Sequence, residues 1–302
     1  MAGMTFKIGQ IARPIMLSVV LIAAATSAVP AGEPAETTTP TGPATTTEAP
    51  KKRLRSEEFA AMRTMGRRLT VYEPIYFIAG DEAPEAKFQL SFKYRLATLR
   101  RAPDGLESHT IQFAYTQRSL WDIGSQSSPF YDTSYMPELT YQWVTTTTEP
   151  STGGISWLGL QTGVRHESNG QADATSRSLN EIYFRSAFTL GRSDGWHMLV
   201  IPEVYGYIGD LSDNPDLRRY RGNFELRAGV VRADRDSLML TLIPGQDFSH
   251  GSQQLDLSIP IRIESIGFGT YLLIQYFDGY GESLRSYNER TSALRIGFAL
   301  VR

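Results

Sequence analysis

The sequence predicts an all-β chain, a transmembrane antiparallel β-barrel of about twelve strands with a polar interior. Three observations predict it. Residues 87–96 read KFQLSFKYRL, with Phe88, Leu90, Phe92, Tyr94 and Leu96 on one face and Lys87, Gln89, Ser91, Lys93 and Arg95 on the other. That is the period-two signature of a strand. The polar face is charged on successive strands (Lys87, Lys93, Arg95; Glu181, Arg185; Arg221, Glu225, Arg227), which suits a lumen with internal ion pairs better than a solvated sandwich face. Connections alternate between long and short, the pattern of wide external loops and tight periplasmic turns.

Taken in order, alternating stretches fall at 70–79, 87–96, 110–117, 135–147, 155–166, 178–190, 196–208, 220–232, 237–247, 254–263, 267–278 and 291–301. The first is the weakest. Most are ten residues or longer, the length a tilted strand needs to cross a bilayer. Many carry Tyr, Trp or Phe near their ends. Residues 118–134, 167–177, 209–219 and 279–290 form the long polar connections; 148–154, 191–195, 233–236 and 264–266 form the short ones. An even strand count puts both ends of the barrel in the periplasm. The last residues, Leu300-Val301-Arg302, depart from the aromatic ending common in such barrels, Phe298 being the nearest aromatic.

Three regions are expected. Lys7 and Arg13 precede an apolar run, Ile15 to Ala25, too short to span a bilayer, so residues 1–28 read as a signal peptide. Residues 29–68 read as a linker: a Pro/Thr-rich stretch with little to bury, then a basic segment, Lys51 to Arg68, that is either a short amphipathic helix or a solvated tail. Residues 69–302 form the barrel. The chain has no cysteine, which excludes disulfides and thiolate chemistry. A formal charge of −2 points away from nucleic acid and from a polybasic membrane-surface protein.

The chemistry-bearing stretch is VRHESNGQADATSRSLNEIYFRSAF, residues 164–188. It holds His166, Ser168 and Asn180, a base, a nucleophile and an orienting group for serine hydrolysis. As bare residue types the same trio is also common in polar loops. Parity sharpens the reading. On the fifth strand Val164, His166 and Ser168 share a face; on the sixth Asn180, Ile182 and Phe184 do. All three polar residues are therefore expected outside the barrel, at the external membrane boundary, level with phospholipid head groups and ester bonds. Gln117 shares the parity of Ile111, Phe113 and Tyr115, so an amide is expected on the lipid face, where a polar partner is needed. A strand-end position at head-group level is the other reading. His109, His197 and His250 stand apart and read as structural.

The string HESNG followed by SRSLNEIYFR resembles the active-site motif of the bacterial outer membrane phospholipase A family, H-x-S-N-G followed by S-R-S-x-N-R-x-Y. YEPIYF at 72–77, SSPF with TSYMPEL at 127–139, DNPDLRRYRG at 213–222 and YFDGYGESLRSYN at 276–288 extend the resemblance from about residue 70 to the C-terminus. It implies calcium-dependent hydrolysis of acyl esters of phospholipids and lysophospholipids (phospholipase A1/A2 activity) by a serine-type enzyme of the outer membrane, regulated as a homodimer. It also implies that the Gly170 N–H contributes to the oxyanion hole. The Gln171 carbonyl and Ser176 hydroxyl would bind calcium in one subunit, with the Ser127 carbonyl coming from the other. Asp173 is either a further ligand or a solvated loop acid. The residue matching Gln117 lies in the family's dimer interface. Two positions depart from the pattern: Gln171 stands where the family usually has Arg, and Glu181 where it has a basic residue. The competing class is a non-catalytic porin or structural barrel.

Overall fold

The structure, a computed structural model, describes residues 65–145, 154–192, 195–232, 235–263 and 268–302. The expected signal peptide and nearly all of the linker lie outside these residues, as do the short connection expected at 264–266 and parts of the other three. The strands are β1 (Leu69–Val71), β2 (Ile75–Ala79), β3 (Ala86–Arg101), β4 (Glu107–Trp121), β5 (Phe130–Thr145), β6 (Ile155–Ser168), β7 (Ser178–Gly191), β8 (His197–Ile208), β9 (Phe224–Val231), β10 (Ser237–Pro244), β11 (Gly251–Ile263), β12 (Phe268–Tyr280) and β13 (Arg290–Val301). Each pairs antiparallel with its chain neighbours from β2 onward, and β13 returns to β2, which closes the barrel.

Thirteen segments make twelve staves. Both β1 and β2 pair with β3, Leu69 opposite Tyr94 and Tyr76 opposite Gln89, so they are one stave interrupted at Tyr72-Glu73-Pro74. Proline cannot donate to the ladder and marks such a break. The interruption turns Glu73 into the lumen, where its carboxylate meets Arg185 at 2.9 Å and Arg227 at 2.8 Å.

The alternation is borne out. On β3, Leu90 and Phe92 are exposed on the outside while Lys87 and Ser91 are buried inside. Arg165 pairs with Glu181 (3.2 Å) and Glu203 (2.9 Å), and Arg185 with Glu203. Such a lumen satisfies its charges internally, as burial requires.

Two element boundaries differ from the sequence reading. The connection expected at 118–134 is shorter, because β4 and β5 stay paired through Arg118–Ser134 and Ser119–Thr133, with the two hydroxyls of the latter pair 3.0 Å apart. The strand expected from 220 begins at Phe224, because Leu217–Arg221 form a short helix, α1, ended by Gly222 at φ 57°. Leu217 of α1 packs with Leu179, Leu284 and Tyr287 into a small apolar core over the external end of the lumen.

Candidate functional site

β6 and β7 meet in register at the external end, with His166 opposite Asn180, Glu167 opposite Leu179 and Ser168 opposite Ser178. His166, Ser168 and Asn180 face outward, as parity predicts: their neighbours on the same face, Val164, Ile182 and Phe184, are exposed, and the intervening Glu167, Leu179 and Glu181 are buried. His166 Nδ1 lies 2.9 Å from Asn180 Oδ1. With the amide oxygen accepting, the ring proton sits on Nδ1 and the Nε2 lone pair is free. Ser168 is two residues along the same face, and its hydroxyl makes no hydrogen bond to the imidazole. Such contacts are commonly loose before an acyl substrate is bound.

The inward neighbours hold this pair of strands rigid. Arg165 bonds Glu181 and Glu203. Glu167 accepts from Ser134 Oγ at 2.7 Å and Arg221 Nη1 at 2.7 Å. Leu179 is buried in the apolar core of the external loops. Each outward polar residue thus sits between anchored positions, the support a preorganised site needs. Glu181, an odd residue in the sequence, is explained: it faces the lumen directly opposite Arg165.

Beside His166 and Asn180 runs a groove of about 520 Å³ on the outer wall, lined by Phe113, Pro137, Leu139, Val164 and Ile208. A groove of this size and polarity suits an acyl chain lying against a polar head.

The loop 169–177 is shaped by Asn169, a residue to which the sequence assigned no role. Its buried amide donates to Thr175 O at 2.9 Å and accepts from the Arg177 N–H at 3.0 Å and the Gln171 N–H at 3.3 Å. Gly170, at φ 65°, lies against Tyr135: a Cβ there would come within 2.9 Å of the ring. Tyr135 is itself the cross-strand partner of Ser168.

Gln171 and Asp173 are exposed on this loop. Ser176 Oγ donates to Asp213 Oδ2 at 3.2 Å, which brings in a carboxylate that sequence reasoning missed. The loop and its neighbour Asp213 offer oxygen donors (Gln171 carbonyl, Ser176 hydroxyl, Asp173 and Asp213 carboxylates), the kind a hard cation such as calcium takes, and of these Ser176 and Asp213 are in contact. Among the described residues no three His, Cys, Asp or Glu side chains cluster as a metal shell by themselves. Ser127 lies apart, in loop 122–129 between β4 and β5, at φ 66°. Gln117 faces outward on β4 and finds partners in its own chain: Tyr115 OH donates to its carbonyl at 3.0 Å, and its amide reaches Ser119 Oγ at 3.4 Å.

A closed barrel with an apolar outer wall, a charged lumen and a polar His–Asn pair at its outer rim is a bacterial outer membrane protein. The chain belongs to the phospholipase A1 family, whose sequence profile matches residues 65–300. Phospholipase A1 of Escherichia coli (strain K12) is 31% identical over 221 residues, 72% of this chain and 69% of that protein. Phospholipase A1 of Proteus vulgaris is 32% identical over 72% of this chain and 69% of its own. The solved outer membrane phospholipase A from Escherichia coli superposes with a TM-score of 0.64 at 29% identity, covering 77% of this chain and 91% of that one. The Salmonella typhi outer membrane phospholipase, solved as a dimer with bound calcium, gives a TM-score of 0.64 at 28% identity, covering 77% and 92%.

Proposed function

We propose that this chain hydrolyses acyl esters of phospholipids and lysophospholipids at the outer face of the outer membrane, with Ser168 as nucleophile, His166 as base and Asn180 as the group that orients the base. The observation that carries this reading is the 2.9 Å contact between His166 Nδ1 and Asn180 Oδ1 on the lipid-facing side of the barrel rim. A polar pair is costly against hydrocarbon and tolerable at head-group level, where ester bonds lie.

In the acyl-transfer template, Ser168 Oγ attacks the ester carbonyl as its proton passes to His166 Nε2. The carbonyl π-bond opens to an oxyanion, which the Gly170 N–H faces in this reading. Collapse breaks the ester C–O bond, and His166 returns its proton to the departing lysophospholipid oxygen. Water activated by His166 then cleaves the acyl-serine. Asn180 holds the Nδ1–H tautomer throughout. Being neutral, it stabilises the imidazolium less than a carboxylate would.

The oxygen donors of loop 169–177 fit calcium, and Gln171, Ser176, Asp213 and Asp173 would hold it, joined by the Ser127 carbonyl of a second copy. Calcium, when bound, supplies positive charge near the developing oxyanion. Support for calcium and for a homodimer comes from the Salmonella typhi relative, solved in that form. Residues 1–28 as signal peptide and 29–68 as linker complete the proposal.

Purified protein incubated with phospholipid, with and without calcium, tests it. Calcium-stimulated release of fatty acid supports the hydrolase. No release under either condition favours the non-catalytic barrel.

A further inference from the structure

The lumen holds one continuous cavity of about 650 Å³, and its two ends differ in chemistry. Towards the catalytic rim it is charged, through Arg165, Glu167, Glu181 and Arg221, and the charge continues to mid-depth with Glu73 and Arg227, the latter directly opposite Ile201 in the β8–β9 ladder. Towards the periplasmic end apolar side chains enter its wall beside Ser237, Ser258 and Asp256, the last opposite Met239 and satisfied by the Gln254 and Gln275 amides. Leu199 and Ile201 of β8 and Met239 of β10 line it, as their parity requires: the alternate residues Met198, Val204 and Leu238 are exposed on the outer wall, and Glu203 is buried inside. On the opposite side Tyr76, Ile78, Leu273 and Ala299 are packed into a closed cluster. Leu199, Ile201 and Met239 have no such partners and remain half-exposed to the void. Inward apolar surface left uncovered favours an apolar occupant.

The mouth of this chamber carries the guanidinium groups of Arg232 and Arg302. Arg302 donates through Nη2 to the Arg232 carbonyl at 3.1 Å, and its guanidinium lies 4.7 Å from the centre of the Tyr271 ring. Arg302 Nη1 is buried and has no hydrogen-bond partner among the described residues. Neither Arg232 nor Arg302 is in an ion pair there. A buried guanidinium donor without an acceptor is costly, and a carboxylate satisfies it. From the level of His197 to that of Glu203 is six residues, about 20 Å of strand. With strand tilt that is about 15 Å along the barrel axis, the depth one acyl chain takes in half of a hydrocarbon core of about 30 Å.

We propose that the periplasmic half of the lumen binds one free fatty acid, its carboxylate on Arg302 and Arg232 and its chain between Leu199, Ile201 and Met239. The site is separated by the barrel wall from the exterior groove beside His166. It is independent of the hydrolytic reading, although its ligand is of the class that phospholipid hydrolysis releases.

The test uses a palmitate analogue carrying a diazirine, photolysed with the folded barrel in phospholipid vesicles. Adducts are then mapped by mass spectrometry, with a heat-modifiability gel confirming folding. Bilayer lipid reaches only outward residues such as Val204 and Leu238, which serve as the internal control. The expected result is a second set of adducts on inward residues, Ile201 and Met239 among them, competed away by unlabelled palmitate. Arg302→Glu should lower inward labelling about ten-fold, the size of a lost charge-assisted bond. Ile201→Trp with Met239→Trp, which fills the chamber, should abolish it. Ser168→Ala should leave it unchanged, so this proposal and the hydrolase reading fail separately. Adducts confined to outward residues overturn the proposal. Inward adducts that persist at wild-type level in both Arg302→Glu and the filled variant overturn it too. If the filled variant does not fold, Arg302→Glu at the mouth decides alone.

Discussion

His166 Nδ1 and Asn180 Oδ1 are 2.9 Å apart because the two residues are directly opposed in the β6–β7 ladder. Their relative position is therefore set by backbone pairing and by the lumen-facing anchors on either side, not by the external loop that joins the strands. An orienting amide held this way contributes roughly one ordinary hydrogen bond, about 1 kcal/mol. Asn180→Ala should lower kcat by about five-fold. His166→Ala removes the base and should cost about 10²–10⁴-fold. Initial rates on a phospholipid substrate give the comparison. Equal losses in two folded variants would mean that Asn180 does more than orient.

Gly170 is held at φ 65° with Tyr135 beneath it. A side chain there meets both a left-handed backbone, costing about 1–2 kcal/mol, and the Tyr135 ring. Gly170→Ala should fold yet lose about ten-fold or more in kcat, through displacement of its N–H. Adding Tyr135→Ala relieves the contact but not the backbone strain, so part of the loss should return. Full activity in Gly170→Ala would remove this N–H from the oxyanion site.

Ser176 and Asp213 touch at 3.2 Å. Asp213→Asn removes a charge from the proposed calcium shell and should raise the calcium needed for half-maximal activity about ten-fold. Ser176→Ala should shift it in the same direction. If the shell is completed by Ser127 of a second copy, calcium must by linkage promote the dimer. Analytical ultracentrifugation in detergent across a calcium titration should show dimer and activity rising together. Full activity in a species that stays monomeric removes the shared shell.

Gln117 already has the Tyr115 hydroxyl as a partner on the outer wall. Gln117→Leu strands that hydroxyl and deletes the lipid-facing amide. Calcium-induced dimerisation should weaken by about ten-fold if the amide crosses an interface, a contribution of about 1–1.5 kcal/mol. Tyr115→Phe keeps the amide and should leave the dimer close to wild type. Unchanged association in Gln117→Leu would place the residue at head-group level with no role between subunits.

Glu73 sits where the first stave breaks and is shared by Arg185 and Arg227. Glu73→Ala leaves two lumen cations short of a partner, a loss of about 3–5 kcal/mol for a buried network. Urea unfolding in lipid vesicles should show that fall, with hydrolysis retained while the barrel stays folded. The groups at the triad are more than one stave away and do not touch Glu73.

Periodicity carried much of this architecture. Alternation placed Leu90 and Phe92 outside and Lys87 and Ser91 inside, and the same parity put His166 and Asn180 on the outer wall. What it missed depends on contacts distant in sequence. Ser283 bonds Asp132 across 151 residues, and Arg221 reaches Glu167 across 54. No local pattern announces them, yet they shape the external end. The helix at Leu217–Arg221 forms because Leu217 is buried in a core assembled from three separate segments. Asn169 stood inside the motif, but its three loop contacts appear only once residues 169–177 fold back on themselves.

The most direct test of the account is the hydrolysis rate of Ser168→Ala. The residue ends β6 at the rim, so the variant should remain a folded, heat-modifiable barrel. The account predicts no measurable release of fatty acid from phospholipid at saturating calcium, and labelling by a serine-directed sulfonyl fluoride in the wild type but not in the variant. Substantial hydrolysis by folded Ser168→Ala would contradict it.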